Sequence, residues 1–363
     1  MNTSPELTPQ PAPAPTAERR RSMALGILNN YPDTEETRLF LTPEACGILV
    51  NQGIDIRMEA GAGIDINYSD AAYADNGVQV LPRTEVLGCD VLLSVRTLNL
   101  EDTLRLKKGA VLFTLYDPEL PRDVLQALMD RDITLIGLDK MYSENGVRIF
   151  AHILDEIDGR AAMVYAQEGL SFLGEGKGVL IGGIPGLQPC EVLIIGTGGR
   201  VLSAAKAGMN LGARVTLMNN DVATLHEACD ECGPQLITSA IHPKVLLNDV
   251  KKADVIILDT CSRPFTLPEN LYSAMKDNVY LIDLNETTPS LVVPRTVAMA
   301  ISNVLVNFFS DTLEAGGIRH HITSTPGIQA GLVTYRGHLV DKLVAMRHGL
   351  HALDLGMMIT ETN

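Results

Sequence analysis

The run Glu191-Val-Leu-Ile-Ile-Gly-Thr-Gly-Gly-Arg-Val201 constrains the fold of this chain more than any other stretch. A buried strand feeds a glycine turn, and a small-residue helix follows (Leu202, Ser203, Ala204, Ala205, Ala207, Gly208). A second strand is expected at Arg214–Met218. Strand, glycine turn, helix, strand is the first half of a dinucleotide-binding βαβ unit. Gly196 permits the tight turn, and Gly198 lets backbone N–H groups approach a pyrophosphate. The helix N-terminus then presents its partial positive charge to the phosphates. On this pattern Gly196, Thr197, Gly198, Gly199, Arg200 and Val201 are the candidate cofactor-binding residues. The bland alternative is an α/β domain whose glycine turn is only structural.

The pattern departs from the usual fingerprint twice. Val201 stands at the third glycine position, where a helix residue must pack against the first strand. The second strand runs into Asn219-Asn220-Asp221, and Asn219 occupies the place of the acid that binds the ribose 2′-hydroxyl. A neutral amide hydrogen-bonds a ribose and repels a 2′-phosphate less than a carboxylate does. Arg200 in the loop could meet such a phosphate. Asn219 is therefore compatible with NAD and with NADP.

The length of 363 residues accommodates two ordinary domains, and 46% hydrophobic residues marks a globular chain. A net charge of −15 argues against nucleic acid and anionic membranes as partners. With no tryptophan there is little stacking platform for single strands. The six cysteines are scattered, so they do not form a disulfide framework. Cys229-Asp-Glu-Cys232, with His226 nearby, is a lone CxxC and is expected to be a pair of reduced thiols rather than a zinc or redox site. No metal is expected. Residues 1–22 are proline-rich, lack an apolar signal core and are expected to be a disordered extension. No apolar run reaches the ~18 residues of a bilayer span, so a cytoplasmic, soluble protein is expected.

From Met23 to Phe150 short apolar strands alternate with helical patterns. Strands are expected at 24–28, 55–59, 91–95, 110–114 and 133–137, with helices at 42–52 and 123–131. Such alternation implies a parallel sheet. A long helical pattern over 152–173 connects this part to a glycine-rich loop at 176–186 and then to the nucleotide unit. Strands at 255–258 and 279–283 complete that unit, and 291–313 and 335–355 read as helical.

Several segments together resemble the alanine dehydrogenase / nicotinamide nucleotide transhydrogenase α-subunit family. They are Glu36-Thr-Arg-Leu-Phe-Leu-Thr-Pro43, Glu59-Ala-Gly-Ala-Gly63, Tyr68-Ser-Asp-Ala-Ala-Tyr73, Glu156-Ile-Asp-Gly-Arg160 and Gly178–Gly186. The resemblance implies an α/β protein with two Rossmann-like, parallel-sheet domains separated by a cleft. It places a substrate domain at 23–152 plus 325–363 and a dinucleotide-binding domain at 153–324. It also implies NAD, with NADP as the other option, a small amino or oxo acid substrate, and a homodimer or homohexamer.

The family's catalytic positions fall on altered residues. Arg38 is similar to the arginine that holds the substrate carboxylate, and a guanidinium fork suits that task. Arg96 stands where the family has a catalytic lysine, and Asp117 where it has a proton-donating histidine. The family's later aspartate aligns with Thr287 or Glu286. Arginine does not lose its proton, and a free aspartate is a poor acid at neutral pH. Alanine dehydrogenation itself is therefore not expected. Arg38, Arg96 and Asp117 are the candidate catalytic residues, with Asp117 pairing with Arg96 or holding a substrate ammonium or iminium. Arg319, His320 and His321 could supply a replacement acid, because the resemblance puts the nearby Pro-Gly segment by the nicotinamide. Asp70 and Tyr73 are expected to cap a helix. The expected function is oxidoreduction of an amino acid, imino acid or related small carboxylate, by hydride transfer in the cleft. The alternative is a catalytically impaired nucleotide or metabolite sensor.

Overall fold

A computed structural model describes residues 23–259 and 265–360. The expected extension at 1–22, and Cys261, lie outside the described residues. The first six strands are β1 (Ala24–Ile27), β2 (Asp55–Glu59), β3 (Gln79–Leu81), β4 (Val91–Leu93), β5 (Val111–Thr114) and β6 (Thr134–Gly137). The next five are β7 (Glu191–Gly196), β8 (Arg214–Met218), β9 (Ile237–Ser239), β10 (Val255–Asp259) and β11 (Tyr280–Asp283). The last two are β12 (Leu332–Tyr335) and β13 (His338–Leu339).

The second sheet runs β11-β10-β7-β8-β9, with every pair parallel. The chain moves outward from β7 through β8 to β9, then returns to β10 on the other side. The strand order therefore reverses between β7 and β10, at the crevice where doubly wound sheets bind ligands. Strands buried on both faces read as unbroken apolar runs. Val255-Ile-Ile-Leu-Asp259 is buried throughout, as are β4, β5 and β6.

The first sheet runs β13-β12-β6-β5-β4-β1-β2-β3. It is parallel from β3 to β6, but β12 pairs antiparallel with β6, and β13 antiparallel with β12. The helix expected across 335–355 is thus partly a hairpin. Arg336 (φ 48°) and Gly337 (φ 77°) both take left-handed backbone, as a two-residue hairpin turn of the primed type requires. The apolar spacing of Leu339, Leu343 and Val344 reads as helical, yet helix forms only at Lys342–His348 and Leu355–Thr360.

Two long helices join the halves. Ile149–Leu170 starts three residues before the expected pattern and ends before Gly174. Its first turns bury Phe150, Leu154 and Ile157 in the first core, and its second half buries Ala162, Met163 and Ala166 in the second. Pro294–Glu314 then sends Val297, Ala298, Ile301, Leu305 and Phe309 into the first core, and Ile322 follows them. The return to the first unit therefore comes well before residue 325, where the sequence reading put it. By length and composition Pro294–Glu314 could cross a membrane. Its apolar face is instead occupied by the first sheet, where Phe309 lies 6.2 Å from Phe113 of β5, edge to face.

Smaller elements follow local chemistry. Thr42 accepts from the Ala45 N–H and Pro43 opens the helix Pro43–Asn51. Ser69, rather than Asp70, caps Asp70–Asp75. Asp70 instead accepts from the Gly61 N–H at 2.9 Å, and the buried Tyr73 hydroxyl donates to the Leu41 carbonyl at 2.7 Å. Both side chains fasten the loops after β1 and β2.

Candidate functional site

The glycine turn lies at the carboxyl end of β7. Gly196 has φ 149°, and a Cβ there would stand 2.2 Å from the Asp259 carbonyl oxygen at the end of β10. Only glycine lets β7 and β10 approach so closely. Gly198 (φ 102°) has nothing within 4 Å of a Cβ position, so its outer side is open to a bulky group. The helix Gly199–Asn210 starts at once and fully buries Val201 against the sheet, which accounts for a packing residue at the third glycine position. A cavity of about 420 Å³ borders the turn, lined in part by Thr197, Gly198, Gly199, Ser203, Thr224 and His152. A backbone cradle with this space beside it suits a pyrophosphate.

Two side chains expected to face the cofactor are otherwise engaged. The Arg200 guanidinium pairs with both carboxylate oxygens of Asp259, at 3.0 and 3.1 Å, and donates to the Leu284 carbonyl at 2.6 Å. It ties together the ends of β10 and β11, where the sequence reading turned it toward a 2′-phosphate. Asn219 is buried; its amide donates to the Gly196 carbonyl at 2.7 Å and its oxygen accepts from the Asp221 N–H at 2.8 Å. It braces the turn from below.

The linking helix Ile149–Leu170 presses on this turn. Gly159 makes the crossing possible, since a Cβ there would sit 2.3 Å from the Arg200 carbonyl and 2.6 Å from Ser203 Cβ. The Ser203 hydroxyl donates to the Glu156 carbonyl at 2.7 Å. One turn before Gly159, the Asp155 carboxylate lies 2.9 Å from a Cβ position on Gly199. Asp158 accepts from the Ser290 N–H at 2.9 Å, so this helix also holds the short helical turn Pro289–Val292.

In the first unit the expected clamp is built around a residue that the sequence reading did not select. Glu36 is fully enclosed and takes both prongs of the Arg38 guanidinium, Nε and Nη2, at 2.8 Å each. Arg38 is itself buried, and its Nη1 lies 3.4 Å from Ser290 Oγ. Arg96 reaches the same Glu36 carboxylate from β4's loop at 3.3 Å, with 58% of its side chain exposed. Burial would raise the Glu36 carboxyl; hydrogen bonds and charge from Arg38, with Arg96 adding, outweigh it and hold it below its ordinary value. Two guanidinium groups on one carboxylate leave one net positive charge, and Arg96 is the exposed member. The signal was present in the sequence: residues two apart in extended chain point to the same side, as Glu36 and Arg38 do.

Asp117 does not pair with Arg96. It accepts from the Glu119 N–H at 2.8 Å and forms no ion pair among the described residues. Thr287 and Glu286 N–H groups close a turn on the Asp283 carbonyl at 2.8 and 3.2 Å, and Glu286 is exposed. Arg319, followed by the two histidines in the helix Ile318–Ser324, lies at the amino-terminal ends of β5 and β6, whereas Arg96 follows the carboxyl end of β4. Arg319 donates to Gly109, ahead of β5, and lines a cavity with Lys108 and Asp132. His321 stacks on Phe308 and lies 2.8 Å from Thr312 Oγ1. Because the Thr312 hydroxyl donates to Phe308, His321 Nδ1 must be the donor in that pair. Burial lowers its pKa, with His320 adding to the shift and Asp311 opposing it. Arg319 and His321 are thus engaged by Gly109, Thr312 and Phe308.

The Arg38 loop is fastened by a second polar group. Arg83 bonds Glu59 at 2.6 Å and Asp102 at 2.7 Å, and the Tyr31 hydroxyl donates to Asp102 at 2.6 Å. Burial and the Asp102 hydrogen bond push the Tyr31 phenol up to about 12. Asn30 donates to the Arg38 carbonyl at 2.8 Å.

Comparison with known proteins matches both halves of the chain. The family description "Alanine dehydrogenase/PNT, N-terminal domain" matches residues 27–153, and "Alanine dehydrogenase/PNT, C-terminal domain" matches residues 162–285. The alanine dehydrogenase of Bacillus subtilis (strain 168) is 28% identical over 362 residues, covering 89% of this chain and 94% of that protein. The alanine dehydrogenase of Staphylococcus haemolyticus (strain JCSC1435) is 26% identical, covering 90% and 97%. A solved L-alanine dehydrogenase superposes with a TM-score of 0.79 at 21% identity, covering 90% of this chain and 99% of that one. A transhydrogenase from Sinorhizobium meliloti gives 0.74 at 16% identity, covering 87% and 100%. Both structural matches show the two-unit α/β fold. With both halves matched in order along its length, the chain belongs to the alanine dehydrogenase/transhydrogenase family as a divergent member.

Proposed function

We propose that this protein is an NAD(P)-dependent oxidoreductase acting on an amino acid, imino acid or related small carboxylate, in a crevice between its two units. The observation that carries this reading is the glycine turn at the β7/β10 reversal, with a close approach at Gly196 and open space at Gly198. Family membership and relatives called alanine dehydrogenase support it. A nicotinamide dinucleotide, when bound, supplies hydride transfer. Backbone amides from Gly196 to Val201 hold its pyrophosphate, with Thr197 at the cavity wall and Asn219 fixing the turn. Arg200 contributes through its backbone, because its side chain braces Asp259. Arg96 meets the substrate carboxylate, since it is the exposed guanidinium of the Glu36 group. Arg38 acts through Glu36 as the support of that contact. Asp117 offers a carboxylate for a substrate ammonium. Arginine and aspartate at these places select a substrate other than alanine.

Calorimetric titration with NAD and with NADP, followed by an absorbance screen of amino and oxo acids, tests the proposal. Binding of one cofactor and turnover of at least one acid is expected. Binding of neither removes the oxidoreductase reading. Binding without turnover of any acid replaces it with a nucleotide-sensing role.

A further inference from the structure

We propose that Asp155 is an affinity-determining residue of the nucleotide site: its carboxylate opposes the phosphates held at the glycine turn, so an anionic nucleotide binds the protonated form and takes up a proton. This rests on the nucleotide reading above.

The geometry carries the inference. Asp155 projects from the linking helix onto Gly199, the first residue of the glycine-turn helix, with Oδ2 2.9 Å and Cβ 3.0 Å from a Cβ position there. It is half-buried and has no hydrogen-bond partner among the described residues. The helix N-terminus attracts anions, and a fixed carboxylate beside it reduces the attraction felt by an incoming phosphate.

The surrounding charges relieve Asp155 only in part. Arg200, on the glycine-turn helix, is committed to Asp259 at the end of β10. Asp158 on the same linking helix adds a second negative charge, and Arg148 at that helix's start adds a positive one. Burial raises the Asp155 carboxyl, Asp158 and Asp259 raise it further, and Arg200 and Arg148 only partly oppose them. A bound pyrophosphate is one more negative neighbour. By linkage it pushes the carboxyl higher still, so binding takes up a proton where the carboxyl is ionised in the free protein and protonated in the complex. Affinity is therefore highest at acid pH and falls as pH rises through the titration of Asp155. His152 lines the adjoining cavity, so its contribution must be separated from that of Asp155.

The test is calorimetric titration of the full-length protein with NAD, whose pyrophosphate stays doubly ionised, from about pH 5.5 to about pH 8. Buffers of different ionisation enthalpy report the proton uptake. The expected wild-type affinity falls about tenfold across this range, with protons taken up. Asp155→Asn and Asp155→Ser are expected to bind tightly at both ends of the range without proton uptake. His152→Gln is expected to keep the wild-type slope. A slope that persists in both Asp155 variants, or a wild-type affinity independent of pH, overturns the role of Asp155 while leaving the nucleotide site standing. If neither the wild type nor the Asp155 variants bind NAD or NADP at any pH, the nucleotide reading itself fails and this inference with it.

Discussion

At the scale of single residues, Glu36 decides what the first unit's arginines can do. A buried guanidinium needs a partner, and Arg38 has one built into its own loop. Replacing the carboxylate in Glu36→Gln leaves Arg38 buried beside a neutral amide. Loss of a buried partner of this kind costs about 3 kcal/mol, read as a lowered urea midpoint at neutral pH. The sign with pH follows from the depressed carboxyl. Its contribution is complete above the ordinary value of 4.5 and is lost as pH falls through the lower folded value. The gap between wild type and Glu36→Gln therefore narrows on acidification; a gap constant with pH would remove the ion-pair account. The sequence displayed Arg38 as a free clamp because pairing two residues apart looks like any surface alternation until burial is known. Arg96 was placed against Asp117 for a similar reason. Both follow strands of one sheet, but the Asp117 carboxylate turns back to the Glu119 N–H.

At the scale of elements, the second unit was the more legible half. Its strands are unbroken apolar runs and its turn is punctuated by glycine, so pattern alone located β7, β8, β10 and β11. The hairpin β12–β13 was hidden because Arg336-Gly337 is a weaker turn signal than Asn-Gly, and the residues after it carry helical spacing. Helix crossings leave no periodic trace either. Gly159 reads as an unremarkable helix glycine, yet it lets the linking helix meet the glycine-turn helix at the Arg200 carbonyl. Gly159→Ala forces the two helices apart. It is expected to cost about 1–3 kcal/mol, as overpacking does. It should also weaken NAD binding, because the displaced helix carries the amides proposed to hold the pyrophosphate. Circular dichroism melts paired with NAD titration check this. A variant of unchanged stability and unchanged NAD affinity would mean the crossing has slack that the 2.3 Å approach denies.

At the scale of the whole molecule, the chain is laced: it builds the first sheet, crosses to build the second, and returns along Pro294–Glu314. Thr37 donates to the Leu291 carbonyl at 2.7 Å just before that return, and Ser290 accepts from Arg38 at its hydroxyl while donating its N–H to Asp158. Sequence spacing could not show where the return begins, because an amphipathic helix fits against either sheet. The buried face of the helix settles it. Phe309 is wholly buried and sits edge to face with Phe113 at 6.2 Å and Phe308 at 5.3 Å. Phe309→Ala therefore opens a cavity beneath β5, far from the glycine turn. The expected cost is about 3–5 kcal/mol, confined to the first unit. Hydrogen exchange should then show faster exchange in β4, β5 and β6, with β7 and β10 still protected and NAD affinity kept. Had the returning helix belonged to the nucleotide unit, as a return at 325 implies, the same substitution would deprotect β7 and β10 and weaken NAD binding.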